Sequence, residues 1–217
     1  PMDAKPREAL DAQPEASMPR AARCVGEGEA DALVTAGNTG AAILSCARHF
    51  ERIPGVRRTA LAAVVPTEQL RGTKNDPFSL LLDVGANIRV EAADLVSFAL
   101  MGAAYSRIIS KNQDPSVALL SNGAEANKGP EEIVEAHARL LRLDCLRFIG
   151  NVEGVDISRG TADVVVTDGF TGNVVLKMLE GVSETVMRIA RHAYEDRLSW
   201  KLALGLLKGG IQQLKAV

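Results

Sequence analysis

Aromatic side chains are scarce in this sequence, 4% of 217 residues with one tryptophan, which leaves few platforms for stacking bases. The net charge of −2 supplies no basic field either, so nothing points to a nucleic-acid partner. Cysteine is also sparse: Cys24, Cys46 and Cys145 are odd in number, far apart and without a C-x-x-C pair. A zinc site or disulfide framework does not fit that usage, and a reducing cytoplasm does. No signal peptide is visible, and no apolar run reads as long enough to cross a bilayer. What is present is ordinary for a globular protein: 47% apolar and 24% charged residues, in a length that makes one large domain or one and a half. The chain opens on Pro1 and ends without a clear stop, and it reads as an internal piece of a longer protein.

The stretch from Ala162 to Lys177 organises the rest. Four consecutive β-branched residues, Val164 to Thr167, predict a buried strand ended by Asp168-Gly169. An uninterrupted helix follows to about Arg191, with Thr171 or Asn173 as its cap. Gly169 and Gly172 let such a turn approach a ligand, and backbone N–H groups at a positive helix end offer a place for an anion.

Similar units recur upstream. Short helices are expected over Pro6–Ala12 and Ser17–Gly28, the second capped by Ser17. Asp31–Thr35 reads as a strand turning through Gly37-Asn38-Thr39-Gly40 into a helix from Ala41 to Arg52. Thr59–Val65 reads as a strand ended by Pro66, and residues 67–77 as a loop. Ser79–Val84 is a third strand, leading through Gly85-Ala86-Asn87 into a helix over Glu91–Ser110. Ser116–Ser121 is the fourth, followed by a Gly- and Asn-rich loop with Lys128 and a helix over Pro130–Leu143 that starts on Pro130. Leu146–Gly150 is the fifth, with Asn151–Gly154 as its turn. Strands alternating with helices predict an α/β fold, a mostly parallel sheet covered on both faces. Ligands of such sheets bind beyond the carboxyl ends of the strands. Asn38, Asn87, Lys128, Asn151 and the Asp168–Asn173 turn all fall there. Each turn alone is explained as tight-turn chemistry; together they point to a site.

Several long motifs then resemble one family. Ala-Asp-Ala-Leu-Val-Thr-Ala-Gly-Asn-Thr-Gly (30–40), Leu-Leu-Leu-Asp-Val-Gly-Ala-Asn (80–87) and Phe-Ala-Leu-Met-Gly-Ala-Ala-Tyr (98–105) are similar to the PlsX phosphate acyltransferases. So are Phe-Ile-Gly-Asn-Val-Glu-Gly (148–154) and Asp-Gly-Phe-Thr-Gly-Asn-Val-Val-Leu-Lys (168–177). The resemblance covers nearly the whole chain in order. It implies attack of inorganic phosphate on acyl–acyl carrier protein, giving an acyl phosphate for bacterial phospholipid synthesis. It also implies a three-layer α/β/α sandwich akin to isocitrate and isopropylmalate dehydrogenases, here truncated at both ends, a homodimer, and a cytoplasmic enzyme peripheral to the membrane's inner face. Residues 1–197 would be the central part of one domain and 198–217 a basic amphipathic segment of it.

The sequence departs from the family pattern in three places. The family's opening strand with its Asp-Ala-Met-Gly-Gly-Asp-type loop has no counterpart, and neither does a Gly- and Ser-containing loop near its carboxyl end. The usual Gly-Glu-Glu…Lys-Gly-Asn becomes Gly123-Ala124-Glu125…Lys128-Gly129-Pro130, which keeps the lysine and removes two polar contacts.

Acyl transfer to phosphate requires no metal, cofactor or covalent intermediate, and none is expected. With the resemblance, Lys128 is the first catalytic candidate, its ammonium pairing with phosphate or the developing oxyanion. Asn173 is the second: its amide can orient phosphate or donate to the carbonyl, and it can also cap the helix. Asn38, Thr39, Gly40 and Asn87, with Gly169, Phe170, Thr171 and Gly172, are candidates for binding phosphate or substrate. Asp83 and Asp168 end strands, and as anions they would hold loop N–H groups or Lys128; Asp168 thereby belongs to the binding turn and Asp83 supports its loop. Glu153 repels phosphate for the same reason. His49, His137 and His192 fall inside predicted helices, at solvated or core-edge positions rather than catalytic ones.

Trp200, Leu204, Leu207, Ile211 and Leu214 form one helical stripe beside Lys201, Lys208 and Lys215, suited to an anionic membrane surface or a dimer partner. Arg57, Arg58, Arg188 and Arg191 are candidates for meeting an acidic carrier protein. The alternatives are a phosphotransacetylase-like enzyme using acyl-CoA, a dehydrogenase on the related fold, and an inactive piece that dimerises or docks on membranes. The dehydrogenase lacks its G-x-G-x-x-G fingerprint and a metal-binding acid cluster here.

Overall fold

A computed structural model describes residues 5–73 and 75–196, so the amphipathic segment expected over 198–217 lies outside the described residues. The chain divides into two compact units, residues 1–59 and 60–217.

The first unit is helical: α1 (Pro6–Ala12), α2 (Ser17–Gly26) and α3 (Thr39–His49). Gly26 lets α2 touch the end of α3, since a Cβ there would stand 2.4 Å from the His49 carbonyl oxygen. Ser17 is the first helical residue rather than the cap, which is Ala16. Asn38 is a true cap: its Oδ1 accepts from the Ala41 N–H at 3.0 Å. The strand expected at Asp31–Thr35 does not form. Val34 is 94% exposed, and no described strand pairs with this stretch, so its β-branched residues have neither ladder nor core to hold them.

The second unit carries a sheet of five strands in the order β1-β2-β5-β3-β4. These are β1 (Ala62–Arg71), β2 (Asp76–Leu82), β3 (Ser116–Leu120), β4 (Arg147–Val152) and β5 (Val164–Val166). All neighbours are parallel except β1 and β2, which form a hairpin. That hairpin replaces the loop expected over 67–77. Pro66 does not end β1, because β1 is an edge strand where a missing N–H costs no ladder bond. Gly72 and Asn75, both at positive φ, make the reversal, and Asn75 N–H donates to the Gly72 carbonyl at 3.4 Å.

Alternation along the strands builds two cores. Leu80, Leu82, Val117, Leu119, Val164 and Val166 face α4 (Ala92–Ile109) and α5 (Glu131–Leu140). Leu81, Ala118, Leu120 and Val165 face α6 (Gly154–Arg159) and α7 (Gly169–Asp196) through Ile157, Val175, Leu176 and Leu179. The result is the expected layered α/β arrangement. By length and composition α4 could cross a membrane, contrary to the reading of the sequence. Leu95, Phe98, Ala99 and Ala103 instead pack it on the sheet as a core helix. Gly102 sets the distance: a Cβ there would stand 2.4 Å from Val164 Cγ1.

Helix ends differ from expectation by a few residues. Pro130 is the cap of α5 rather than its first residue, and that helix stops at Leu140. Asn151 belongs to β4, not to a turn. The short helix α6 was not foreseen; a reciprocal pair between Glu153 and Asp156 starts it and Gly160 at φ 71° ends it.

Candidate functional site

Leu82, Val166 and Leu119 are register partners, and Leu120 pairs with Val152, so four parallel strands end at one level. Neighbouring strands lie about 4.8 Å apart. The loops after β2, β5, β3 and β4 therefore leave the sheet side by side, and three of them carry predicted site residues.

Asp83, fully buried, organises the loop after β2. Its Oδ1 accepts from the N–H groups of Leu61, Gly85 and Ala86 at 3.0, 3.0 and 2.9 Å. Its Oδ2 accepts from Asn87 N–H at 2.7 Å and Asn87 Nδ2 at 2.8 Å. One carboxylate thus shapes the whole turn and ties it to the chain entering β1. The Leu61 bond joins residues 22 apart, and no local pattern announced it.

The Asn87 loop then meets the turn after β5. Gly169 N–H donates to the Asn87 carbonyl at 2.8 Å, and a Cβ on Gly169 would lie 2.7 Å from that oxygen. A Cβ on Gly172 would lie 1.9 Å from the Asp83 carbonyl oxygen. Both glycines are required by this approach. Asn173 stands across from Gly85, with Oδ1 3.9 Å from where a Cβ of that residue would be. Asp83, Asn87, Asp168, Gly169, Gly172 and Asn173 are therefore one assembly, with Phe170 63% exposed at its rim.

Two expectations change here. The cap of α7 is neither Thr171 nor Asn173 but Asp168, whose Oδ1 accepts from Phe170 and Thr171 N–H, each at 2.9 Å. The turn's N–H groups also do not point outward. Gly172 N–H goes to the Asp168 carbonyl, and with Gly169 bonded to Asn87 all four are used internally. The Asp168 carboxylate and two backbone carbonyls have taken the backbone donors that an anion was expected to use. What remains is side-chain chemistry: Thr171, half-buried, and Asn173 and Lys128, both exposed, make no side-chain hydrogen bond or ion pair among the described residues. The positive end of α7 adds to them.

Lys128 is exposed in the loop after β3. Its N–H donates to the Glu125 carbonyl at 3.0 Å. Its stem lies over Gly123, where a Cβ would be 2.8 Å from Lys128 Cγ. Gly129 has φ 103°, and a Cβ there would crowd Ser121 Oγ at 2.9 Å, which confines the loop as it enters α5. Asn38, Thr39 and Gly40 belong to the first unit, at the start of α3. His137 and Asn151 are the polar residues whose contacts sequence reasoning missed. Ile133, Ala136, His137 and Leu140 share one buried helical stripe, and that spacing was readable. A cavity lined by Phe78, Tyr105, Ile109 and Ser110 lies instead at the amino-terminal ends of β2 and β5.

The whole chain, residues 1–217, matches the family described as "Fatty acid synthesis protein". The chain belongs to this family. Its relatives include a phosphate acyltransferase of Lacticaseibacillus casei, 42% identical over 213 residues, 98% of this chain and 61% of that protein. One from Fervidobacterium nodosum is 43% identical over 216 residues, 99% of this chain and 62% of the relative. The motif resemblance thus holds along the chain, which spans about three-fifths of the length of the curated relatives it matches. In fold, family membership coexists with likeness to a phosphotransacetylase from Streptococcus pyogenes. That match has a TM-score of 0.57 at 20% identity and covers 82% of this chain and 58% of that one.

Proposed function

We propose that this protein is a phosphate acyltransferase that converts acyl–acyl carrier protein and inorganic phosphate to acyl phosphate and free carrier protein, feeding phospholipid synthesis. The observation that carries this reading is the likeness, along nearly the full chain, to proteins named phosphate acyltransferase. The site's chemistry supports it. A phosphate oxygen attacks the thioester carbonyl, a tetrahedral oxyanion forms, and the C–S bond breaks as thiolate leaves. Lys128 pairs with phosphate and with the developing oxyanion, where a fixed cation stabilises the transition state most. Asn173 orients phosphate or donates to the carbonyl oxygen, beside the start of α7. Asp83 and Asp168 act indirectly, by fixing the loops that carry Asn87 and Asn173.

The phosphotransacetylase-like fold favours one rival, with acyl-CoA as the donor. Comparing the two donors with the full-length protein separates them: kcat/KM for acyl–acyl carrier protein exceeding that for the same acyl-CoA supports the carrier-protein reading. The reverse preference replaces it. On this reading the enzyme is a cytoplasmic homodimer, with 198–217 making peripheral contact with the membrane's inner face.

A further inference from the structure

His137 is buried inside the second unit, yet the chemistry above does not use it. Its Nδ1 lies 2.9 Å from Asn151 Oδ1, and Asn151 is buried as well. The other end of that amide is committed: Asn151 Nδ2 donates to the Glu125 carbonyl at 2.9 Å. A carbonyl can only accept, so the amide nitrogen must face Glu125 and the amide oxygen must face the imidazole. His137 Nδ1 therefore carries the proton. Phe148 packs edge-on against the ring, centroids 5.1 Å apart, and fixes its plane. The Glu125 carbonyl is the pivot of the loop, since the N–H of Lys128 hooks onto the same oxygen.

We propose that His137 and Asn151 are positioning residues that hold the Lys128 loop from beneath, through the chain imidazole N–H to amide oxygen, amide N–H to the Glu125 carbonyl. This rests on the catalytic role given above to Lys128, but the anchoring itself does not need that reading. The loop otherwise has little to order it: Asn122 and residues 124–128 are exposed. Ser121 N–H bonded to the Val152 carbonyl at 2.9 Å fixes its start and the Gly129 turn confines its end, leaving the stretch between them to the Glu125 carbonyl. Removing the imidazole donor leaves a buried amide oxygen unpaired, and the amide is then free to turn away from Glu125.

The test uses the full-length protein with H137F, which keeps a ring and loses the donor, and H137N, whose amide N–H can stand where Nδ1–H stood. Amide hydrogen exchange over residues 123–129 rises on the order of tenfold in H137F, as loss of one buried hydrogen bond implies, and stays near the parent value in H137N. The kcat falls on the order of tenfold in H137F and is restored in H137N. In the unaltered protein, ¹⁵N NMR of the histidine ring shows the Nδ1–H tautomer. Unchanged exchange in H137F, a loop equally loosened in H137N, or an Nε2–H tautomer would each overturn the proposal. Loosened exchange in H137F without turnover in the unaltered protein keeps the anchor and removes the acyltransferase reading instead.

Discussion

At the scale of single residues, Asp83 carries the greatest demand. It accepts from four backbone N–H groups and one side-chain amide while wholly out of water. Asp83→Ala leaves these donors unpaired around a cavity, and the expected loss is about 3 kcal/mol or more, read as a lower urea midpoint. A change under about 0.5 kcal/mol would mean that the loop is held by something else. The cysteines give a second, milder prediction. Burial pushes the Cys46 thiol above its ordinary value, while for Cys24 the Glu29 carboxylate that its thiol bonds does so first and burial second. A raised pKa means less thiolate at neutral pH, and Cys145 is the exposed one of the three. Iodoacetamide at pH 7.5 should therefore label Cys145 first, with Cys24 and Cys46 catching up as the pH rises. Equal rates at pH 7.5, followed by mass spectrometry, would contradict this.

At the scale of elements, the β1–β2 hairpin depends on a buried ion pair. Arg71 Nε meets Asp163 Oδ1 at 2.6 Å, and the same guanidinium bonds the carbonyls of Gly160 and Ala162 at 2.5 and 3.2 Å. Asp163 in turn accepts from Ser116 N–H and Oγ, each at 2.6 Å, so the cluster joins β1, β3 and the approach to β5. Arg71→Ala strands a carboxylate in the core and should cost about 3–5 kcal/mol in chemical denaturation, whereas loss of an exposed pair such as Lys177–Glu180 should cost less than about 1 kcal/mol. The sequence made the helices and parallel strands legible because their signals are local: short continuous runs of valine and leucine, Pro and Gly punctuation, a helical apolar stripe. It hid the hairpin because Pro66 and the polar run after it read as breakers, and only the edge position of β1 makes them tolerable. The strand expected at Asp31–Thr35 failed for the converse reason, a good local signal with no neighbour. In the site, the identities of Asp83, Gly169, Gly172 and Asn173 were readable, but their partners were not. The carboxylate at 83 reaches Leu61, and His137 reaches Asn151, through contacts between elements that no single stretch encodes.

At the scale of the molecule, two adjacent strand ends, those of β3 and β5, present an ammonium on Lys128 and an amide and a hydroxyl on Asn173 and Thr171, with the loop backbone donors already taken by the Asp83 and Asp168 carboxylates and by backbone carbonyls. That division predicts that binding is governed by side chains, above all by the cation. The central measurement is acyl phosphate formation by the full-length protein from acyl–acyl carrier protein and inorganic phosphate, alongside its Lys128→Ala variant. The parent should turn over, and the variant should lose activity on the order of 10²-fold or more with folding intact by circular dichroism. A folded parent that forms no acyl phosphate would contradict the assigned reaction, and a variant as active as the parent would contradict the assigned site.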